Sequence, residues 1–515
     1  MTEAAVRSSS DLVRLRGLLT ATGPAMELRS PVTGEVVGEL PTSTAADVEV
    51  GAQLGHRAQA EWAARSIDER ARLLLDFHDH LLDRRDYFID LLQAVGKARL
   101  SAAEEVLHVA LTARYYGRTA RRYLRSERGE GVLPVLTRVD RNYLPKGLVG
   151  VIGPWNYPLT MAISDGLAAL VAGNAIMLKP DHHTPLVALA AVELLRTTGL
   201  PADLWQVVHG RGAVVGRELI DVSDYVCFTG STATGRTIAA RCAERLIGCS
   251  LELGGKNPLL ILDDADVEAA AEGAVRASFS NAGQLCVSTE RIYVAEPLFE
   301  QFTRAFVART EAIRMGNAPD FEHDMGSLIN RSQLNRVTAH VEDARAKGAK
   351  VLTGGRRRED LGELFYEPTI LTGVTPEMEC YAEETFGPVV SVYPVADEAE
   401  AIARANDSDY GLNASIWTSD HDRGRRVASK IKCGAVNVNE GFAATFGSID
   451  APMGGMKNSG LGRRQGQEGI RRFVDVQSVA TQTGIPIAPS HGLDGKSFTS
   501  VMTGVMRVMK KAGRA

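Results

Sequence analysis

The sequence predicts an α/β fold built from doubly wound parallel sheets. Three observations carry this. Short apolar strands alternate with amphipathic helices from Gly147 to Leu246. A second alternating series follows from about residue 260. The chain also holds 50 glycines against 20 prolines, which suits backbone that passes close to a ligand. At about 150 residues per domain, 515 residues make three or four folding units.

The elements follow in order. Residues 45–125 read as helices, with apolar positions at 3–4 spacing and charges opposite. Asp68, Glu69 and Arg70 suit a helix start. Residues 128–145 alternate and carry turn residues, so a β-hairpin is expected. GLVGVIGP, NAIMLKP, WQVVHG and YVCFTG then read as strands. The helices between and after them are LTMAISDGLAALVAG, HTPLVALAAVELLRTTG, VVGRELID and TATGRTIAARCAERL. Further helices are expected near 265–281, 297–313 and 331–348. The chain closes on a basic, Met-rich tail with one apolar stripe. Packing on a subunit, or fraying, is the expectation for it, over a lipid surface.

Composition excludes several function classes. Hydrophobic residues make up 44% and charged residues 23%, ordinary for a globular protein. A net charge of −5 gives no basic field, so nucleic acid is not an expected partner. Six widely spaced cysteines argue against a disulfide framework or a structural zinc site, and no metal is expected. The N-terminus shows no apolar signal core, so a cytoplasmic location is expected. Between Leu148 and Leu178 only Asp165 is charged. That run imitates a membrane span, but Gly153, Pro154, Asn156 and Pro158 break it into strand, turn, helix and strand. No membrane association is expected.

Four segments can carry chemistry. Cys286 lies in FSNAGQLCVSTER, where Asn281, Gly283 and Gln284 suit an exposed, activated thiol in a turn after a helix. A lone cysteine is more often a buried small hydrophobe. That reading fits Cys227, Cys242, Cys249, Cys380 and Cys433, with Cys242 and Cys249 flanking a helix. Glu252, in LELGGKNP, alternates with Leu251 and Leu253 and precedes two glycines, so its carboxylate can enter a cavity rather than sit on the surface. FTGSTATG, Phe228 to Gly235, follows a strand and opens a helix, the place where a pyrophosphate meets a helix N-terminus. It departs from G-x-G-x-x-G and is weak alone. In PWNYP, two prolines bracket Asn156 and aim its amide, which can donate to a developing oxyanion.

PWNYP, LELGGKNP, FSNAGQLC, EETFGPV and PMGGMKNSGLGR occur in the order of the aldehyde dehydrogenase superfamily, which the chain resembles over about residues 30 to 485. Within it, KPDHHTP, SNAGQLC and APMGGM resemble the actinobacterial succinate-semialdehyde dehydrogenases of the NADP type. The resemblance implies two doubly wound domains and a β oligomerisation element. A dinucleotide-binding domain would span 1–121 and 145–253, and a catalytic domain 254–465. The oligomerisation element would span 122–144 and 466–490, ahead of a tail at 491–515. A homodimer or homotetramer is implied.

The resemblance also assigns roles. Cys286 would attack an aldehyde to form a thiohemiacetal, with Asn156 and the Cys286 N–H holding the oxyanion. Hydride transfer to NADP or NAD would leave a thioester, and Glu252 would activate the water that hydrolyses it. Relatives that pass the acyl group to coenzyme A usually lack this glutamate. Trp155, Lys179, His182, Gly230, Ser231, Gly235, Leu253, Glu384 and Phe386 would bind the cofactor. The implied substrate is succinate semialdehyde. The alternatives are a broad-specificity enzyme for medium-chain or aromatic aldehydes, or a non-catalytic homologue.

Three departures from the family pattern stand out. NAD-preferring relatives carry a glutamate where this chain has His182, after Asp181, which points to NADP. Many relatives have a lysine at the place of Asp165 and a glutamate at the place of Arg464, so a charge-swapped Asp165–Arg464 pair is expected. The arginines that bind a substrate carboxylate in related enzymes are replaced by Ser280 and Ser164. Ser448, Arg291 or Arg464 would then have to serve.

Overall fold

A computed structural model describes residues 9–133 and 135–513. The first eight residues of the expected dinucleotide-binding segment and the last two of the expected tail lie outside the described residues. After helix Ser9–Arg16 comes a hairpin not foreseen in the sequence, Ala25–Arg29 with Val36–Pro41. Four helices follow, Ala45–Ala63, Ile67–Asp83, Arg85–Ala94 and Arg99–Leu124. The second begins at a Ser66/Glu69 capping box, just ahead of the expected Asp68 start.

Two large sheets dominate, as the alternation predicted. The first runs, in spatial order, Gly460–Leu461, Gly248–Glu252, Tyr225–Thr229, Leu148–Ile152, Ala175–Lys179 and Trp205–Val207. All its neighbours are parallel except the two-residue strand Gly460–Leu461. That strand comes from within the expected catalytic segment, so the boundary at 254 is crossed by one returning strand. The second sheet has seven strands and centres on Val389–Val395, Thr289–Ala295 and Asn257–Ile261. Each sheet anchors its own apolar core. The near-uncharged run is strand Leu148–Ile152, helix Thr160–Val171 and strand Ala175–Lys179, all buried. Among the described residues no helix is long and apolar enough to cross a membrane.

Helix Thr160–Val171 starts in the interior, where water cannot satisfy its first N–H groups. Glu105, from helix Arg99–Leu124, accepts from the N–H of Leu159 at 2.7 Å and of Thr160 at 2.8 Å. Lys97, 3.3 Å away and also buried, balances its charge. A distant side chain thus caps the helix that follows the PWNYP turn.

The expected hairpin is part of a third, antiparallel sheet of Glu127–Gly129, Thr137–Pro145 and Val474–Gln482. Beyond it, Gly495–Lys511 forms a helix with no buried side chain.

Candidate active site

In the first sheet, the chain runs from Leu148–Ile152 outward through Ala175–Lys179, then returns to the other side at Tyr225–Thr229. The carboxyl ends of Leu148–Ile152 and Tyr225–Thr229 therefore flank a topological switch point, where α/β sheets bind ligands. A cavity of about 210 Å³ lies there. Trp155, Asn156, Gly230, Ser231, Glu252 and Leu253 reach it from the first sheet. Cys286, Glu384 and Phe386 reach it from segments just ahead of strands of the second sheet. Of the residues singled out in the sequence, these nine share one cavity.

Cys286 is held by an unusual turn. Helix Val267–Phe279 ends, and Asn281, Ala282 and Gly283 are left-handed in succession, with φ of 52°, 56° and 68°. A Cβ at Gly283 would lie 2.1 Å from the Gly387 carbonyl, so only glycine fits there. Side chains lock the turn. Asn281 Nδ2 donates to the Gln284 carbonyl at 3.1 Å and the Asn156 carbonyl at 3.3 Å. Gln284 donates to the carbonyls of Asn281 and Ser327 and accepts from Ile329 N–H. Asn257 Nδ2 donates to the Cys286 carbonyl at 2.7 Å. The backbone on both sides of the thiol is thereby fixed, which is what a precisely placed group needs.

The thiol itself corrects the expectation of an exposed, activated cysteine. Cys286 is only partly exposed. Burial pushes its pKa up to about 12, and the charges of Glu252 and Glu384 add to the rise. Asn156 Nδ2 donates to the Gln284 carbonyl at 2.9 Å, leaving its second N–H for another acceptor. Glu252 ends its strand with Oε1 buried and unpartnered among the described residues. Burial pushes its carboxyl up to about 7, against the pull of Arg464 and Arg472.

The loop of Glu383–Gly387 is clamped by a buried pair that the sequence reading missed. Lys256 Nζ meets Glu290 Oε2 at 2.5 Å and also donates to the Glu383 carbonyl. Glu290 accepts from the N–H of Thr385 and Phe386. Glu384 accepts from Gly255 N–H at 2.9 Å, and burial, with Glu290's charge, pushes it up to about 8. Gln333 and Arg336, on helix Arg331–Ala346, line the cavity and were also missed. The available signal was the charged pair Glu290 and Arg291 at the start of a strand buried along its length.

Three expected cofactor residues do not line this cavity. Lys179 ends its strand, buried, and donates to the Pro180 carbonyl. His182 stands 3.5 Å from Asp181, and burial lowers its pKa to about 4. Asp181 is engaged by His183 Nδ1 at 2.7 Å. Gly235 serves packing, since a Cβ there would lie 2.5 Å from the Leu253 side chain.

The swapped pair is present and larger than expected. Arg464 meets Asp165 at 2.9 Å, and Arg472 meets the same oxygen at 2.6 Å. Asp165 and Arg464 are buried, and the Arg472 side chain is 9% exposed. Burial raises the Asp165 carboxyl, but the two arginines outweigh it and hold the group below its ordinary value. Replacing Asp165 by alanine would strand two buried guanidiniums. A loss of about 3–5 kcal/mol is expected, read as a lowered melting temperature. Of the other proposed carboxylate donors, Arg291 is committed to the carbonyls of Lys256, Arg404, Ala405 and Asp407. Arg291 does not line the cavity that holds Cys286. Ser448 Oγ donates to Ala444.

Residues 19–479 match the aldehyde dehydrogenase family. A Mycolicibacterium smegmatis protein with the provisional name succinate-semialdehyde dehydrogenase [NADP(+)] is 48% identical over 98% of both chains. The crystal structure of an E. coli NADP-dependent enzyme superposes with a TM-score of 0.85 at 33% identity, over 89% of this chain and 95% of that one. Betaine aldehyde dehydrogenase from Staphylococcus aureus, in complex with NAD+, gives 0.86 at 31%, over 93% and 98%.

Proposed function

Because the chain belongs to the aldehyde dehydrogenase family, the NAD(P)-dependent enzymes that oxidise aldehydes, we propose that it converts succinate semialdehyde to succinate with NADP+ preferred. The observation that carries this reading is the one cavity shared by Cys286, Asn156, Glu252 and the cofactor-side residues. The residues fit a dinucleotide. Ser231 caps helix Thr232–Glu244, whose N-terminus suits a pyrophosphate. Gly254 leaves room that a Cβ would fill, 2.4 Å from Glu384 Oε2. Trp155 and Phe386 meet edge to face at 5.5 Å beside the cavity.

Cys286 is the nucleophile and adds to the aldehyde carbon. Glu252, buried and with Oε1 unpartnered among the described residues, takes the thiol proton or that of a later water. The free N–H of Asn156 and the backbone N–H of Cys286 hold the oxyanion. The cofactor, when bound, supplies the hydride acceptor. Glu252 then activates water to release the acid from the Cys286 thioester.

NADP preference follows from His182. A neutral imidazole there offers a hydrogen bond and does not repel a 2′-phosphate, while Lys179 and Arg211 add positive charge to its surroundings. Expected kcat/KM is about tenfold or more higher with NADP+ than with NAD+, the worth of one charge-assisted hydrogen bond. Higher kcat/KM with NAD+ would overturn the preference.

Tyr157, Met161, Phe442 and Phe446 pack around Cys286 and favour a second reading, a broad enzyme for apolar aldehydes. A kinetic panel decides. If hexanal or benzaldehyde were turned over far better than succinate semialdehyde, the narrower reading would give way. Strand Val474–Gln482 is exposed from Asp475 onward and is suited to pair with a second subunit. The cysteines are all unpaired, which suits a reducing cytoplasm.

A further inference from the structure

We propose that Cys242 and Cys249 are a redox pair, which a peroxide joins reversibly in a disulfide that weakens cofactor binding. The effect on the cofactor rests on the reading of Ser231 and Leu253 as cofactor contacts. The pairing itself does not.

Packing brings the two thiols together. Helix Thr232–Glu244 buries Gly235, Ile238 and Cys242, which form one stripe. The helix closes in a Schellman turn, with Leu246 left-handed at φ 56°. Leu246 N–H donates to the Ala243 carbonyl and Ile247 N–H to the Cys242 carbonyl, each at 3.1 Å. The chain thus returns beside Cys242 and enters strand Gly248–Glu252 at once. Alternation puts Cys249 on the face of Leu251 and Leu253, opposite Ser250 and Glu252. That is the face against the helix, since a Cβ at Gly235 would lie 2.5 Å from the Leu253 side chain. Cys249 meets the helix about two turns further on, at Cys242. There the Cys242 thiol donates a hydrogen bond to the Cys249 sulfur.

The two thiols differ as an attacking and a resolving cysteine must. Cys242 is 1% exposed, and Cys249 is half-buried. Leu246, in the turn between them, is 94% exposed, so solvent reaches this edge. The hydrogen bond from Cys242 holds the Cys249 thiol below its ordinary value against partial burial. The same bond, with burial, keeps the proton on Cys242. Cys249 is therefore the sulfur that attacks. With hydrogen peroxide the O–O bond breaks, and the products are water and a Cys249 sulfenic acid. The Cys242 sulfur then attacks the Cys249 sulfur. The S–O bond breaks, the S–S bond forms, and the hydroxyl leaves with the Cys242 proton as a second water. Two electrons pass from the thiols to the peroxide, and a dithiol returns them by exchange.

A covalent bond holds two sulfurs closer than a hydrogen bond does, so it draws the end of the helix toward the strand. At Gly235 the helix already touches Leu253 with no slack. The helix must pivot there, which displaces its first turn. Ser231 caps that turn and lines the cavity together with Leu253.

The test uses the Cys286→Ala chain, so that oxidation of the reacting thiol is not mistaken for the pair. Trypsin cuts after Arg241, Arg245 and Lys256, which puts the two cysteines on separate peptides. Hydrogen peroxide should yield those peptides linked, lighter than their sum by two hydrogens, and dithiothreitol should part them. Kd for NADP+, read by fluorescence, should rise about fivefold or more in the linked protein and return on reduction. Cys242→Ala and Cys249→Ala, each added to that chain, should abolish both the link and the change in Kd. Peptides left unlinked by peroxide, or a linked protein with the Kd of the reduced one, would overturn the proposal and leave the cofactor reading intact. Reduced protein that bound neither NADP+ nor NAD+ would overturn both.

Discussion

Replacing Cys286 by alanine is expected to lower kcat/KM for any aldehyde about a thousandfold or more, while the fold and cofactor binding persist. No other cysteine lines the cavity that holds Cys286. Cys227 is buried in a strand, and burial pushes its pKa to about 12. Cys242 lies inside helix Thr232–Glu244 rather than beside it, and Cys380 and Cys433 are buried in the core of the second sheet. The serine variant separates chemistry from packing, because a hydroxyl fills the site but attacks far more slowly. Steady-state rates with both variants, alongside cofactor binding followed by fluorescence, check this. Alanine-variant activity within tenfold of the parent would remove Cys286 from the reaction.

The same residue shows how far the sequence could be read. The turn before Cys286 was legible because Asn281, Gly283 and Gln284 mark it, and the structure has three successive left-handed residues there. The ionisation of Cys286 was not legible. The charges that raise it, Glu252 and Glu384, are 34 and 98 positions away and meet it only through the packing of two sheets. The Asp165–Arg464 pair was legible as two reversed signs. Arg472, which shares the same carboxylate, left no such mark, because an arginine after a helix reads as surface charge. The alternation of strands and helices gave both sheets, since period and turn residues are local. The strand Gly460–Leu461, two residues long, has no period to detect. Lys256, Glu290 and Glu105 were missed for one shared reason. Each is a buried charge with partners 34 or more positions away in the chain.

Replacing Glu252 by glutamine is expected to leave the first half of the reaction and stop the second. Mixing enzyme, cofactor and aldehyde should give a burst of reduced cofactor near one equivalent per Cys286, followed by a steady rate about a hundredfold or more below the parent. Mass spectrometry of the stalled protein should show the acyl group on Cys286. In the parent, Glu252 acts as a base only when ionised. Burial places its pKa at about 7, so deacylation should rise with pH through 7 and level off above it. Arg464 and Arg472 pull that value down and Asp165 pushes it up. An Asp165→Asn variant that still folds should therefore move the rise to lower pH. The glutamine variant should lose the rise altogether. An unchanged steady rate in Glu252→Gln, or a rise that survives the substitution, would assign the water-activating role to another group. Glu384 is the nearest rival, since it shares the cavity and titrates at about 8. Its Oε1 already accepts from Gly255 N–H, whereas Glu252 Oε1 has no partner among the described residues, and this favours Glu252 as the base.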